Sequence, residues 1–501
     1  MNRRDFSAAL GGGGAVSALI PAARSMPPGS PQLGDQGSGQ QPPVANRLPR
    51  TAAEAAVNVT PENESYAPLD LRRYGADASG AKASDLAMAN AIAVCGASGG
   101  IVSAPAGLYT FAGQISLAGK RSIIIAGEGA ATGGAQAATR FTYTGADDRV
   151  FINMNSAVGC QLRGLQITHR DPRYTGTYIK CSNVGANDPS LCAVMDCVLG
   201  SNAGHGNRHL DLDKCIEFTA ERCAFSYGNP SVRGQVPAGH GYSNAIHFRD
   251  CQWTASHAPP VQEGGQAWSF EGCTFENLLS GGAGALYCSN AGAFFNALTI
   301  IGCWFGDVSA PGTWIDIYGN GILISGNYIS GNKANTTGIA LRRSIGVNIA
   351  GNLFDQLLVG IDFRAGPCRD IVVQGNVANL VQTGFSGTEN TPTGALVWGP
   401  NYGFGAPGSP HQRLAADGYC TDPQSGILRQ WGAAPISGAA VTHAISFPMK
   451  FPSQCFNVVA TLSAGSHSGS ACISRLSAAG FDATVQGTAD GATLYWQALG
   501  A

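Results

Sequence analysis

The chain has 501 residues, of which 44% are hydrophobic and only 12% charged, with a formal net charge of −2. Such a composition supplies a large core but too little positive charge to steer DNA or RNA, and no basic stripe with interleaved aromatics occurs, so no nucleic-acid partner is expected. No uninterrupted apolar run reaches the ~20 residues of a membrane span, and 69 glycines favour many tight turns over long helices.

The first 25 residues, MNRRDFSAALGGGGAVSALIPAARS, set Arg3-Arg4 ahead of Phe6, a mild Gly/Ala-rich apolar stretch and the small pair Ala22-Ala23. This pattern resembles a twin-arginine export signal, spanning residues 1–25, and implies a periplasmic or extracellular destination. Residues 26–65 are rich in Pro, Gln, Gly and Ser, too polar to bury a core, and read as a disordered linker.

From Asp70 to Phe111 the chain reads DLRRYGADASGAKASDLAMANAIAVCGASGGIVSAPAGLYTF. A short amphipathic helix fits within this segment. Ser84 or Asp85 is placed to cap the helix, and Ala87, Ala91 and Val94 supply its packing face.

Beyond it an internal repeat dominates. The segments AVMDCVLG, FTAERCAFS, IHFRDCQWT, WSFEGCTFE, LTIIGCWFG, ILISGNYIS, VNIAGNLFD and IVVQGNVAN each place a Cys or Asn at one position. These residues are Cys197, Cys223, Cys251, Cys273, Cys303, Asn327, Asn352 and Asn376, in steps of 22 to 30 residues. Apolar pairs such as Ile246/Phe248 and Ile371/Val373 precede the position, and large side chains such as Trp253 and Phe354 follow it by two residues. Period-two burial on both sides of a turn predicts two short strands meeting at a corner, repeated as stacked rungs ~4.8 Å apart. Gly stands just before the ladder residue in five of the eight rungs, as a tight corner requires, and Asn there tolerates a left-handed backbone. The expected fold is all-β: a single-stranded parallel β-helix over residues 66–398, capped by the N-terminal helix.

Tyr74-Gly75-Ala76, Ser84-Asp85, Pro105-Ala106-Gly107-Leu108-Tyr109 and the rungs together resemble the pectate-lyase/tailspike superfamily of right-handed β-helices, over roughly residues 66–390. The pattern departs at Ser79-Gly80-Ala81-Lys82, where that superfamily usually carries Asp-Gly and further acids. This likeness specifies fold better than chemistry, because the superfamily hosts lyases, hydrolases and binding proteins. The 15 cysteines form no CxxC pairs at zinc spacing, and most sit at the ladder position as small buried apolar groups, with disulfides left open.

Residues 399–412 (GPNYGFGAPGSPHQ) form a Gly/Pro-rich joint, and residues 413–501 alternate as short antiparallel strands. Gly426–Gly432, Phe447–Pro452 and Trp496–Gly500 resemble the C-terminal domain of phage tail fibres. That resemblance implies assembly or surface attachment, often as a homotrimer, and makes a phage virion the alternative location. Trp431 and Trp496 are assigned to packing in this small β domain rather than to sugar stacking.

By the superfamily resemblance, the substrate groove runs along the first strand of each rung. With Ile315/Ile317, Ile339/Leu341 and Ile361/Phe363 inward, Asp316, Ala340 and Asp362 point outward in one column, and Tyr318, Arg342 and Arg364 form the next. Asp316 and Asp362 then lie two rungs, or ~9–10 Å, apart, close to the spacing of an inverting glycosidase's acid and base. Glu263 has the same nominal separation from Asp211. Loops carrying His205, Arg208, His209, Arg233, His240 and His257 are expected to wall the groove beside Asp211, Asp213 and Glu263. The candidate catalytic residues are therefore Asp211, Asp213, Glu263, Asp316, Asp362, His209 and His240. Tyr318, Arg342, Arg364, Arg233, His257 and Tyr287 are the candidate substrate contacts.

As a hydrolase the chain would use the acids as general acid and base. As a uronate lyase it would neutralise a substrate carboxylate with Arg233, Arg342 or Arg364, or with Ca²⁺ held by acids. No compact calcium signature occurs, so no metal is assigned. The plain alternative is that outward Asp and Arg are surface ion pairs and the histidines structural; Glu221, Arg249 and Glu271 on the neighbouring face are read as such cross-rung pairing. The functional expectation is an exported enzyme, lyase or glycoside hydrolase, acting on an acidic or cell-surface polysaccharide. The alternative is a non-catalytic glycan-binding adhesin or tailspike-like receptor-binding protein.

Overall fold

The computed structural model describes residues 47–131, 138–171, 173–182, 190–200, 207–235, 243–277, 282–288, 294–306, 312–391, 396–403, 412–413, 415–421, 427–436, 441–463, 469–487 and 491–501. One winding serves as the pattern for the coil. Arg208–Asp213 forms a first strand, Ile216–Glu221 a second and Ala224–Ser226 a third, and each pairs in parallel with its equivalents in the windings before and after. We call the three stacked surfaces faces I, II and III. Face I runs from Ile115–Ser116 to Thr383–Ser386, face II from Gly100–Ala104 to Leu396–Trp398, and face III is an 11-stranded parallel sheet from Gly107–Phe111 to Val377–Asn379. The expected parallel β-helix is therefore what the chain forms.

The interior follows from the alternation. Near-parallel rings run up the coil behind face III: Tyr178, His209, Phe225, Trp253, Phe275 and Phe305, with neighbouring centroids 4.6 to 5.8 Å apart. Stacking at nearly the rung spacing lets flat side chains fill the coil without voids.

The corner between faces II and III carries the ladder. Each ladder thiol donates to a carbonyl of the preceding rung, as Cys251 Sγ to Ala220 and Cys303 Sγ to Phe270, both at 3.4 Å. In the asparagine half, each Nδ2 donates to the carbonyl below and to the next Oδ1, from Asn327 through Asn352 and Asn376 to Asn401. Asn401 extends the ladder into the segment assigned to the joint, and Tyr402 bridges Val377, so the coil runs past 398. The left-handed residue is the one before the ladder residue and not the Asn itself. Asp196, Arg222, Asp250, Gly272, Gly302, Gly326, Gly351 and Gly375 all have φ between 50° and 65°. Thirteen of the fifteen cysteines are buried.

Two expectations at the N-terminal end change. Residues 47–65, assigned to the linker, are ordered against the coil entrance. Helix Ala52–Ala56 is closed by a Thr51/Glu54 capping box, and the fully buried Glu54 carboxylate takes Arg73 Nε at 2.6 Å and the Tyr74 hydroxyl at 3.0 Å. The capping helix is Asp85–Cys95, with Ala87, Ala91 and Val94 buried as expected. Neither candidate side chain bonds the helix amides: the Ser84 hydroxyl makes no capping bond, and the Asp85 carboxylate instead accepts from the amides of Ala112 and Gly113.

The C-terminal region is antiparallel. A five-stranded sheet of Gln412–Arg413, Gly418–Thr421, Leu428–Pro435, Thr493–Gly500 and Cys455–Leu462 accompanies a three-stranded one of Thr442–Ser446, Gly480–Gly487 and Gly469–Ser474. Its own core gathers Leu428, Phe447, Phe451, Phe481 and Trp496. Trp496 packs as expected, whereas Trp431 is half-buried with Nε1 donating to the Ala415 carbonyl. Among the described residues, no helix is long and apolar enough to cross a membrane.

Candidate functional site: a polar column on face I

Because the coil keeps its register, one outward position of face I can be followed from rung to rung. The partners are Ser116, Asn153, Lys180, Asp211, Arg233, Gln262, Tyr287, Asp316, Ala340, Asp362 and Ser386. The column expected for Asp316, Ala340 and Asp362 is present and extends far beyond them. Lys180, Gln262 and Ser386 were not singled out from sequence; stepping the outward position through successive first strands reaches them.

Two clusters stand out. In the upper one, Asp316 is 4% exposed. Its Oδ2 accepts from Arg342 Nη2 and from Arg364 Nη1, each at 2.6 Å. Arg364 also donates through Nε to Asp362 Oδ2 at 3.0 Å and through Nη2 to Thr313 Oγ1 at 3.1 Å, while the Ser386 hydroxyl donates to Asp362 Oδ1 at 2.7 Å. The Arg342 guanidinium lies 5.6 Å from the Tyr318 ring centre and 6.0 Å from that of Tyr287. Burial pulls the Arg342 pKa down, but the Asp316 carboxylate and Tyr318 hydroxyl outweigh it and raise it, so the group stays charged. The structure thus brings together Asp316, Asp362, Arg342, Arg364, Tyr287 and Tyr318. Tyr318 and Arg342 are register partners in the next column, and a bulge after Leu341 sets Ala365 rather than Arg364 opposite Arg342.

In the lower cluster, Asp211 is 3% exposed. It accepts from Arg233 Nη2 at 3.2 Å and lies 3.8 Å from Arg208 Nη1. Burial and the nearby Arg233 charge lower the Arg208 pKa, with Asp211 opposing them. Asp213 faces outward two residues further on, opposite Ser182 and Gln235.

Other candidates separate from these clusters. Gln262, not Glu263, occupies the column two rungs from Asp211; Glu263 follows in a left-handed turn, its amide donating to the Tyr287 carbonyl. That removes the register basis for pairing Asp211 with Glu263. His257 stands beside Tyr227, ring centres 6.2 Å apart, before the Val261–Gln262 strand. His209 is fully buried in the ring stack between Tyr178 and Phe225, and burial pushes its pKa down to about 3. A neutral core imidazole replaces the expected groove wall. His205 and His240 lie outside the described residues. Glu221, Arg249 and Glu271 are register partners on face II, with Arg249 Nε 3.5 Å from Glu271. Among the described residues, no three His, Cys, Asp or Glu side chains converge to hold a metal ion.

Comparison with known proteins agrees with the two architectures. Residues 261–404 match the family described as right handed beta helix region, and residues 421–501 match putative tail fiber protein gp53-like, C-terminal. No curated protein sequence matches the chain. Among solved structures, ORF18 of Geobacillus virus E2 is 13% identical with a TM-score of 0.47, covering 84% of this chain and 76% of its own. The A-module of the Azotobacter vinelandii mannuronan C-5 epimerase AlgE6 is 14% identical with a TM-score of 0.45, covering 66% of this chain and 99% of its own. A P. aeruginosa R2 pyocin fibre is 28% identical with a TM-score of 0.16, covering 18% of this chain and 25% of its own. Two separate segments are thus similar to described families, residues 261–404 to the right-handed β-helix region and residues 421–501 to the gp53-like tail-fibre C-terminal domain.

Proposed function

We propose that this chain is a glycan-binding β-helix protein that holds an acidic or cell-surface polysaccharide along face I. The observation that carries this reading is the engagement of Asp316 Oδ2 and of both Asp362 oxygens by neighbouring donors. Asp316 and Asp362 are both held by guanidinium or hydroxyl donors, while Tyr287, Tyr318 and the outer edges of Arg342 and Arg364 surround them. Carboxylates so engaged act as anchors for the arginines, and a rigid array of guanidinium and tyrosine is suited to sugar rings and their anionic groups. The gp53-like segment supports a fibre-type setting, including the virion alternative and a homotrimer. Arg3-Arg4 supports export instead, and N-terminal sequencing of the mature protein separates the two.

A second reading, cleavage, is favoured by one observation. Asp316 Oδ1 is buried and accepts no hydrogen bond, and Asp362 stands two rungs away in the same column. Incubation with a panel of uronic-acid and neutral polysaccharides decides between them. Retention without new ends is the expected result. New reducing ends, with or without the absorbance of an unsaturated uronate, would establish a hydrolase or a lyase in its place.

A further inference from the structure

The ladder thiols are each held by backbone. Cys197, Cys223, Cys251, Cys273 and Cys303 donate to carbonyls at 3.2 to 3.7 Å. Another pair of thiols behaves differently. Cys181 lies in the face-I strand Thr177–Ser182, opposite Leu212 of the next winding. Cys215 stands at that next winding's corner, between strands Arg208–Asp213 and Ile216–Glu221. The two sulfurs are 3.3 Å apart across 34 positions of sequence, and both side chains are fully buried. Among the described residues neither thiol bonds a carbonyl; each has the other sulfur as its partner. A third buried thiol, Cys192, also contacts Cys181, but it donates to the Ala157 and Ser190 carbonyls.

We infer that Cys181 and Cys215 close into a cross-rung disulfide when the chain folds under oxidising conditions, a covalent tie between two successive windings. A disulfide holds its sulfurs about 2 Å apart, so closure takes roughly 1 Å of side-chain movement. The oxidant is a small disulfide such as oxidised glutathione. One cysteine thiolate attacks it and releases one reduced glutathione; the second thiolate attacks the mixed disulfide and releases the other. Two protons and two electrons pass from the cysteines to the two glutathiones, and one S–S bond replaces another. A closed winding shields both sulfurs, so the bond forms before the winding closes or while it opens locally. Cys192 is the competing partner, and its carbonyl bonds leave Cys215 as the preferred one. The tie lies beside the lower face-I cluster, because Lys180, next to Cys181, is the register partner of Asp211. It fixes the register of that winding without any ligand, so the inference stands apart from the glycan-binding reading.

The test uses the full chain, reduced and then held in oxidised glutathione. Urea is raised until iodoacetamide labels Cys215 in a parallel sample, and the glutathione mixture is then diluted back. Remaining thiols are alkylated, and trypsin, cutting after Lys180, Arg208, Lys214 and Arg222, releases peptides 181–208 and 215–222. The expected product joins these two peptides through Cys181 and Cys215, with the loss of two hydrogens, and dithiothreitol separates them. The oxidised chain should also unfold at higher urea than the reduced one, because the tie restricts the unfolded chain. Cys181→Ala and Cys215→Ala should each abolish both the linkage and the shift, whereas Cys192→Ala should retain both. Alkyl groups on both Cys181 and Cys215 after dilution, or a linkage through Cys192 in their place, overturns the inference. The peptide map is read on the unsubstituted chain, so that outcome does not depend on how well any variant folds.

Discussion

Arg364 reaches back across two rungs to donate to the Asp316 carboxylate at 2.6 Å, 48 positions earlier in the chain. Its Nε meanwhile bonds Asp362, two residues away on its own strand. One guanidinium therefore ties together two windings of face I that stand two rungs apart, and the part of the chain proposed to meet ligand also clamps the coil.

That geometry makes Asp316 more consequential than its arginines. Asp316→Asn leaves two partly buried guanidiniums short of their shared carboxylate, with an expected loss of about 3 kcal/mol. Arg364→Gln removes the more exposed partner and should cost about 1 kcal/mol or less. Urea midpoints of the two variants check the order. Equal losses would mean that Asp316 does not anchor the pair.

His209 makes stability sensitive to acid. Its folded pKa is lowered by burial to about 3, below the ordinary 6.5, so the neutral ring is the native form. This contribution is complete above pH 6.5 and is lost as pH falls toward 3, because only the unfolded chain takes up the proton over that window. Between pH 6 and pH 4 the loss should amount to about 2–3 kcal/mol. His209→Phe keeps a flat ring between Tyr178 and Phe225 and should flatten that part of the pH–stability curve. An unchanged slope in the variant would place the acid sensitivity elsewhere.

Glu54 shifts in the same direction, although its native form is the charged one. Arg73's hydrogen bonds, chiefly, hold its carboxyl down to about 2 against the cost of burial. Its contribution is therefore present above pH 4.5 and lost as pH falls toward 2. Glu54→Gln strands the fully buried Arg73 charge, at a cost of about 3–5 kcal/mol. Hydrogen exchange should then show Ala52–Ala56 opening while the coil amides stay protected. Protection at wild-type levels would mean that other contacts hold this entrance segment.

What could be read from the chain beforehand follows from which constraints repeat. The ladder position recurs with its flanking alternation, so register, corner and the Asp316–Asp362 column were legible. Asn401 escaped because Pro400 replaces the glycine that marks the other asparagine corners. Helix Ala52–Ala56 escaped because its stability comes from an ion pair with a residue 19 positions away, in a segment whose composition is otherwise that of a linker. His209 was misplaced by a local irregularity. Its amide and that of Leu210 both donate to the Ser231 carbonyl, so the simple in–out alternation fails at the start of that strand. The arginine contacts depend on side chains reaching across rungs, which residue spacing alone does not encode.

The corner before each ladder residue provides a test of backbone conformation apart from packing. Gly326 has φ +65° and a Cβ built there would meet no atom within 4 Å, so Gly326→Ala carries only the penalty of a left-handed backbone. That penalty is about 1–2 kcal/mol for an L-residue, partly offset by the lower chain entropy of alanine in the unfolded state. A net loss of about 1 kcal/mol is expected. Asp250 occupies the equivalent corner with φ 50° and already bears that strain, moderated by the tolerance of Asp for this region. Asp250→Gly should therefore be neutral or stabilising by up to about 1 kcal/mol. Urea midpoints for the pair measure both signs. A stabilising alanine at 326 would mean that the corner is not held left-handed in solution.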